Sequence, residues 1–294
     1  MQSSKETVMH KRPKRRAFRI TVLGATGVAL VAGVATLASA APSYFTDPAP
    51  KPTVVLVNGA WSDSASWGGV IKRLQGDGYP VTAPPTALRS LSGDSAYLAS
   101  YLKTIKGPIV LVGQSYGGSV ITNAATGNTN VKALVYISAF APDTGESAQD
   151  LTAKFPGTQI TDDPSAPVPT ALSPVPFTAP DGSVAVDLYA KADQYRDLFL
   201  SNQLSSTTAA ELAAEQSPIT SQALKDASGA PAWKSIPSWF LVSNDDHLIP
   251  PATERFMATR AHAHTVVADT PHAAQVTNPG TVTGIIEQAA RATR

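Results

Sequence analysis

Ile109-Val110-Leu111-Val112-Gly113-Gln114-Ser115-Tyr116-Gly117-Gly118 is a short apolar run that breaks into a G-x-S-x-G turn and then into a stretch of helical character, Tyr116–Thr126. The four apolar residues read as a buried strand. A strand that passes directly into a helix does so through a sharp, strained bend. Gly113 and Gly117, two positions either side of Ser115, avoid the side-chain clashes where the chain doubles back. The bend lifts the Ser115 hydroxyl above the strand ends. It also sets the Tyr116 backbone N–H at a helix N-terminus, where a developing oxyanion is stabilised. In a Ser- and Gly-rich chain the bare pattern also arises by chance; the strand before it and the helix after it give it meaning.

Outward from this turn the chain alternates strand and helix. Thr53–Val57 reads as a buried strand, followed by the turn Asn58-Gly59-Ala60-Trp61 and a helix over 64–74 that Gly76 and Gly78 close. A strand is expected over 79–83, stopped by Pro84-Pro85, then a helix over 95–105. Past the central turn come a strand over 131–138, a strand over 238–243, a helix over 253–261, a strand over 265–268 and a last helix over 281–292. Such alternation implies an α/β fold with a mostly parallel sheet and helices on both faces. Residues 142 to about 235 interrupt the rhythm with ten prolines and no strong buried strand. Pro180-Asp181-Gly182-Ser183 reads as a turn between two extended segments, and 188–200 and 208–215 read as helical. A structureless loop of that length is improbable, so this stretch is expected to be an inserted cap.

A serine hydroxyl needs a base. Of the five histidines, His10 sits near the N-terminus, His262 and His264 precede a strand, and His247 follows an acid. His272 lies in Asp269-Thr270-Pro271-His272-Ala273, between the last strand and the last helix, where a strand-end loop delivers an imidazole to the rim that carries Ser115. An acid must orient that imidazole. Asn244-Asp245-Asp246 follows a strand directly; adjacent Asp side chains point apart, so one of the two serves. The order Ser, Asp, His is the one this architecture uses.

The 294 residues are 43% hydrophobic and 15% charged, with net charge +1 and no cysteine. That composition is globular, not disordered. The charge is uneven: residues 1–40 hold seven Lys/Arg and one acid, and the rest carries 16 basic and 21 acidic residues, net −5. A nucleic-acid-binding reading therefore fails. Lacking Cys, the chain has no disulfide, thiolate metal site or Cys nucleophile, so a serine must be the nucleophile. No HExxH or comparable metal spacing occurs, and no cofactor is expected. Lys11-Arg12-Pro13-Lys14-Arg15-Arg16, the uncharged run Ile20–Leu37 and Ala38-Ser39-Ala40 read as a cleaved signal peptide over 1–40. A membrane anchor is the competing reading, but Gly and Ala make the run weakly hydrophobic. Arg15-Arg16 is similar to a twin-arginine export signal, which predicts a periplasmic or secreted protein. Residues 41–52 read as a Pro-rich lead-in to a single domain over 53–294.

On Asn58-Gly59-Ala60-Trp61…Trp67, Gly113–Gly117, Asp246-His247-Leu248-Ile249-Pro250-Pro251 and His272-Ala273-Ala274, the chain resembles the α/β-hydrolase superfamily. Within it the resemblance is to bacterial esterase-like members related to the hydroxynitrile lyase and salicylate esterase group. It implies the α/β-hydrolase fold and assigns the acid to Asp246, from its spacing to Ile249-Pro250-Pro251. It also implies the Ala60 backbone N–H as second oxyanion donor, with Trp61 as second choice. One position departs: the His that usually precedes Gly59 is Asn58, which leaves a hydrogen-bonding but uncharged side chain on the oxyanion loop.

The expected activity is serine hydrolysis of a small uncharged carboxylic ester or lactone, with catalytic Ser115, Asp246 and His272. A hydroxynitrile lyase is disfavoured because the Lys those enzymes resemble one another in carrying after the His is Ala273 here. A cofactor-free haloperoxidase or perhydrolase uses the same triad, and a non-catalytic binding protein on the scaffold is the rival from another class. Trp61, Tyr116 and Phe140 are the candidate substrate-lining residues, with the cap aromatics Phe177, Tyr189, Tyr195 and Phe199. No Lys/Arg pair suggests a carboxylate or phosphate clamp. The oligomeric state is not written in the sequence.

Overall fold

Four parallel strands bury nearly every residue because both faces of the sheet are covered. β1 (Thr53–Val57), β3 (Ile109–Ser115), β4 (Val131–Ala139) and β8 (Ser238–Asp245) are flanked by β2 (Val81–Thr82) and β9 (His264–Pro271), in the order β2-β1-β3-β4-β8-β9. Every pairing in this six-stranded sheet is parallel. The computed structural model describes residues 50–293; the expected signal peptide and most of the lead-in lie outside the described residues.

The two-residue period of a strand sorts the core into two layers. Val55, Val57, Ile109 and Leu111 point into one hydrophobic cluster, Val54, Leu56, Val110 and Val112 into the other. The second layer is closed by α1 (Gly68–Gly76) and α10 (Pro279–Ala292). In α10, Val282, Ile285, Ile286, Ala289 and Ala290 follow helical spacing and are all buried in it. The first layer is closed by α2 (Leu91–Leu102), α3 (Tyr116–Ala124) and α8 (Pro251–Arg260).

The insertion between β4 and β8 is folded. It holds α4 (Ala148–Thr152), a three-stranded antiparallel sheet of β5 (Leu172–Thr178), β6 (Val184–Ala190) and β7 (Ile219–Thr220), and the helices α5 (Ala192–Leu200), α6 (Ser206–Ala214) and α7 (Ser221–Lys225). The remaining short helix, α9 (Ala274–Thr277), follows β9. Several boundaries differ from expectation. The helix expected over 188–200 begins as the end of β6, because Leu188 and Ala190 bury alternately against β5 and only Ala192 onward is helical. α2 starts four residues early: Ser90 accepts from the Gly93 N–H and caps a first turn, Leu91-Ser92-Gly93-Asp94, that shows only one apolar residue to the helical pattern. The helix expected over 64–74 opens as a 3₁₀ turn over Ser64–Trp67, capped by Asp63, before α1. Of the strand expected over 79–83 only Val81 and Thr82 remain, since the proline pair that follows offers no N–H to the sheet.

Candidate active site

Ser115 ends β3 and precedes the first residue of α3 with φ +53° and ψ −125°, a conformation that a residue with a side chain rarely takes. The strain persists because its surroundings leave no alternative. A Cβ on Gly113 would lie 2.5 Å from the Gly117 carbonyl oxygen, and one on Gly118 would lie 2.2 Å from that of Phe140. A Cβ on Gly117 would meet the carbonyl oxygens of Val57 and Asn58 at 2.6 and 2.8 Å. The turn is therefore pressed directly against the end of β1, which places the Gly59–Ala60 loop beside the serine. Gly59 itself has no room for a side chain, since its Cβ would sit 2.6 Å from that of Ser115.

His272 and Asp246 reach the same point from neighbouring strand ends. His272 Nε2 lies 2.9 Å from Ser115 Oγ, and His272 Nδ1 lies 2.6 Å from Asp246 Oδ2. Ser115, His272 and Asp246 are 2%, 2% and 3% exposed, so this relay is shielded from water. The other Asp246 oxygen, Oδ1, accepts the backbone N–H groups of Leu248 and Ile249 at 2.7 and 2.8 Å, which fixes the carboxylate plane. Asp245 faces outward: its carbonyl oxygen accepts from Ser201 and its carboxylate from Gln203. The ladder between β8 and β9 shifts register between Ser243 and Asp245, which turns Asp246, the next residue, inward. The other described histidines serve elsewhere. His247 Nδ1 bonds the Asp197 carbonyl oxygen, and His264 packs on Trp239 with ring centroids 4.9 Å apart.

Two backbone N–H groups border the serine. That of Tyr116 belongs to the first turn of α3, where no intrahelical acceptor exists. That of Ala60 makes no hydrogen bond among the described residues. The Trp61 N–H, by contrast, donates to the Ser217 carbonyl oxygen of the cap at 3.0 Å. Asn58 Nδ2 donates to the carbonyl oxygens of Gly59 and Ser62, so the loop is held from inside without a charged side chain. Tyr116 is anchored at its far end: its hydroxyl donates to Asp94 at 3.0 Å, burial pushes the Asp94 carboxyl up, and burial beside that acid pushes the Tyr116 hydroxyl up.

The cap closes over this arrangement. Tyr195 donates to the Trp61 carbonyl oxygen, the Trp61 indole N–H donates to that of Leu188, and the Ala273 N–H to that of Phe199. The Phe199 ring lies 5.9 Å from the His272 imidazole. A cavity of about 220 Å³ opens beside His272, walled by Ala60, Trp61, Tyr195, Phe199 and Gln114 among others. Its acidic lining residues are Asp63 and Glu215. Trp61 thus lines the cavity, whereas Phe140 does not: it packs in the core, and its backbone N–H donates to the Ser115 carbonyl oxygen, tying β4 to the turn. Phe177 and Tyr189 also lie away from it, on the β5–β6 hairpin.

Two contributors carry no motif signal. Gln114 Nε2 donates to the His272 carbonyl oxygen and so holds the imidazole-bearing loop to β3. Glu254, fully buried on α8, sits against Asp246. Its place eight residues after Asp246, at helical spacing from Pro250, is the one trace it leaves in the sequence. Among the described residues no group of three or more His, Asp or Glu is placed to hold a metal ion.

Residues 54–283 match the family described as alpha/beta hydrolase. The chain is 32% identical over 113 residues to a carbendazim hydrolyzing esterase of Nocardioides sp.; the match spans 34% of this chain and 47% of that relative's length. Among solved structures, polyneuridine aldehyde esterase superposes with a TM-score of 0.68 at 18% identity, covering 81% of this chain and 98% of that one. An extracellular alpha/beta-hydrolase from a Paenibacillus species does so with a TM-score of 0.62 at 22% identity, covering 82% and 99%. At these identities the structures show a shared fold.

Proposed function

The chain belongs to the alpha/beta hydrolase family, and from that premise we propose that it is a serine hydrolase cleaving a small uncharged carboxylic ester or lactone through an acyl-enzyme intermediate. The observation that carries the reading is the unbroken Ser115–His272–Asp246 relay set beside the backbone N–H groups of Ala60, without an acceptor among the described residues, and of Tyr116, in the first turn of α3. Ser115 Oγ attacks the ester carbonyl carbon while its proton passes to His272 Nε2. The negative charge that develops on the carbonyl oxygen is met by the N–H groups of Ala60 and Tyr116. The ester C–O bond then breaks, and the leaving alkoxide takes the proton from Nε2. Water, deprotonated by the same nitrogen, attacks the acyl group and releases the acid. The esterase names of the relatives and neighbours support the ester class. The cavity wall speaks against an anionic substrate: it carries acids and no Lys or Arg, so nothing there would clamp a carboxylate. A fluorophosphonate probe is expected to label the purified protein at Ser115, read by peptide mass mapping. Label absent from that peptide would overturn the proposal and favour a binding protein on a hydrolase scaffold.

Gly117→Ala tests the contact between the turn and the oxyanion loop. The new methyl group meets two carbonyl oxygens of rigid backbone, so the two segments must part. Expected is a loss of about 1–3 kcal/mol in stability by chemical denaturation. In a variant that is still folded, kcat should drop on the order of 10²-fold or more, the scale of losing one oxyanion donor. Wild-type kcat would show that the Ala60 N–H takes no part.

We also propose that the protein is exported and works in the periplasm or outside the cell. The support is the charged n-region with Arg15-Arg16, the uncharged run to Leu37 and the small-residue site Ala38-Ser39-Ala40. The extracellular Paenibacillus neighbour is in keeping with this. N-terminal sequencing of the protein recovered outside the cytoplasm is expected to begin near Ala41. Recovery of the intact N-terminus from the cytoplasm alone would reject export.

A further inference from the structure

Next to the relay, outside the cavity lining, lies a second carboxyl group that the ester chemistry does not use. Glu254 projects from α8 and is fully buried. Its Oε2 accepts the Ser243 backbone N–H at 2.9 Å, while Oε1 finds no donor among the described residues. Ser243 lies three residues before Asp246 at the same strand end, and the charged neighbour of the Glu254 carboxyl there is the Asp246 carboxylate. Two carboxylates cannot bond each other unless one carries a proton. Asp246 is not that one: Oδ1 already accepts two backbone N–H groups and Oδ2 faces His272 Nδ1, so both its oxygens are acceptors.

We infer that Glu254 is a positioning residue of the active site, a neutral carboxylic acid whose Oε1–H donates to the Asp246 carboxylate and holds it against His272. The inference rests on the proposed Ser115–His272–Asp246 chemistry for its kinetic consequence, but the protonation of Glu254 is independent of it. The surroundings agree. Burial pushes the Glu254 carboxyl well above the usual carboxylate range, the neighbouring Asp246 charge pushes it further the same way, and the Ser243 N–H and the Arg255 guanidinium oppose them more weakly. Arg255 is on the same helix and bonds Asn244 at the surface. From β8 comes the Ser243 N–H, and from the residue that follows that strand the Asp246 charge; from β9 and its loop come Thr270, whose hydroxyl pairs with Ser243 Oγ, and His272 beyond Asp246. No cation from any of these elements contacts Oε1. The proton on Glu254 thus gives Asp246 one more hydrogen bond and keeps a second negative charge away from the imidazole.

Three variants of the full chain separate this from a packing role. Glu254→Gln is isosteric with the neutral acid and keeps a donor toward Asp246 and an acceptor for the Ser243 N–H. Glu254→Leu keeps the volume and removes both. Expected is a kcat loss of about tenfold or more in the Leu variant with KM little changed, the size that goes with losing a hydrogen bond to a charged group, and recovery of most of that loss in the Gln variant. The acid limb of kcat/KM, which reports His272, should stay in place in Glu254→Gln. A shift of that limb to lower pH by about one unit or more would mean that an anion had been removed, and would overturn the inference. So would a Leu variant with wild-type kcat. Should the Leu variant fail to fold, thermal unfolding of Glu254→Gln against wild type decides alone. A carboxyl whose proton is held more tightly in the folded than in the unfolded chain loses native stability as pH rises above the ordinary Glu range. The Tm advantage of Glu254→Gln should therefore widen between about pH 5 and about pH 8; a constant difference would show Glu254 ionised and end the inference. Glu254→Gln carrying the Ser115→Ala change should show the same widening, so this readout stands whether or not the protein turns over esters.

Discussion

Ser115→Ala is expected to lower kcat for a p-nitrophenyl ester by on the order of a millionfold, the scale found when one member of a serine-hydrolase triad that works as a unit is removed. The structure gives the reason for so large a figure. Among the described residues Ser115 Oγ is the one oxygen nucleophile in hydrogen-bond contact with His272 Nε2, and with that donor gone the imidazole has no nucleophile to deprotonate. A residual rate on the order of 10³-fold over water should survive, because the Ala60 and Tyr116 N–H groups are untouched. The fold should survive too. Ser115 Oγ caps no backbone N–H of α3, alanine meets the same strain at φ +53°, and the loss of one buried hydrogen bond costs about 1–3 kcal/mol. His272→Ala should be equally inactive, and the double variant no worse than either, since the two residues act in the same step. Turnover within about tenfold of wild type in purified Ser115→Ala, checked by unfolding to be native, would remove the acyl-enzyme reading altogether.

How far the sequence anticipated this arrangement depended on whether a signal was local. The central strands were legible because burial on both faces forces uninterrupted Val, Leu and Ile, as in Thr53–Val57 and Ile109–Val112. The bend at Ser115 was legible because steric exclusion there demands glycine at fixed offsets. The cap was less so. Leu188–Leu200 combines apolar residues that satisfy a strand period at one end and a helix period at the other, and only pairing with β5 assigns Leu188 and Ala190 to the sheet. Phe140 illustrates the same limit: an aromatic at a strand end reads as a pocket residue, yet its side chain is taken up by the core and its backbone by Ser115. Gln114 and Glu254 left no pattern because each acts through one contact with a residue distant in the chain, Gln114 with His272 and Glu254 with Asp246. The choice between Asp245 and Asp246 could not be made from residue type or order; it came from likeness to a family, and the physical cause is the register shift at the end of β8.

That choice has the second-largest measurable consequence. Asp246→Asn is expected to lower kcat by on the order of 10⁴-fold, the effect of fixing the catalytic imidazole in the wrong tautomer. The direction of the error can be read from the contacts. Two backbone N–H groups, those of Leu248 and Ile249, converge on Asp246 Oδ1, so an asparagine there must keep its carbonyl oxygen in that position. Its NH₂ group then occupies the place of Oδ2 and donates to His272 Nδ1, 2.6 Å away in the native relay. Nδ1 becomes an acceptor, the ring proton moves to Nε2, and Nε2 then donates to Ser115 Oγ where it should accept from it. The site keeps its shape and loses its base. Asp245→Asn, one residue earlier, should stay within about twofold in kcat, since surface substitutions away from such features are near neutral and, among the described residues, its carboxylate bonds only Gln203. Measuring both variants on one ester resolves the pair: equal losses, or a larger loss at Asp245, would contradict Asp246 as the orienting acid and require the end of β8 to be redrawn.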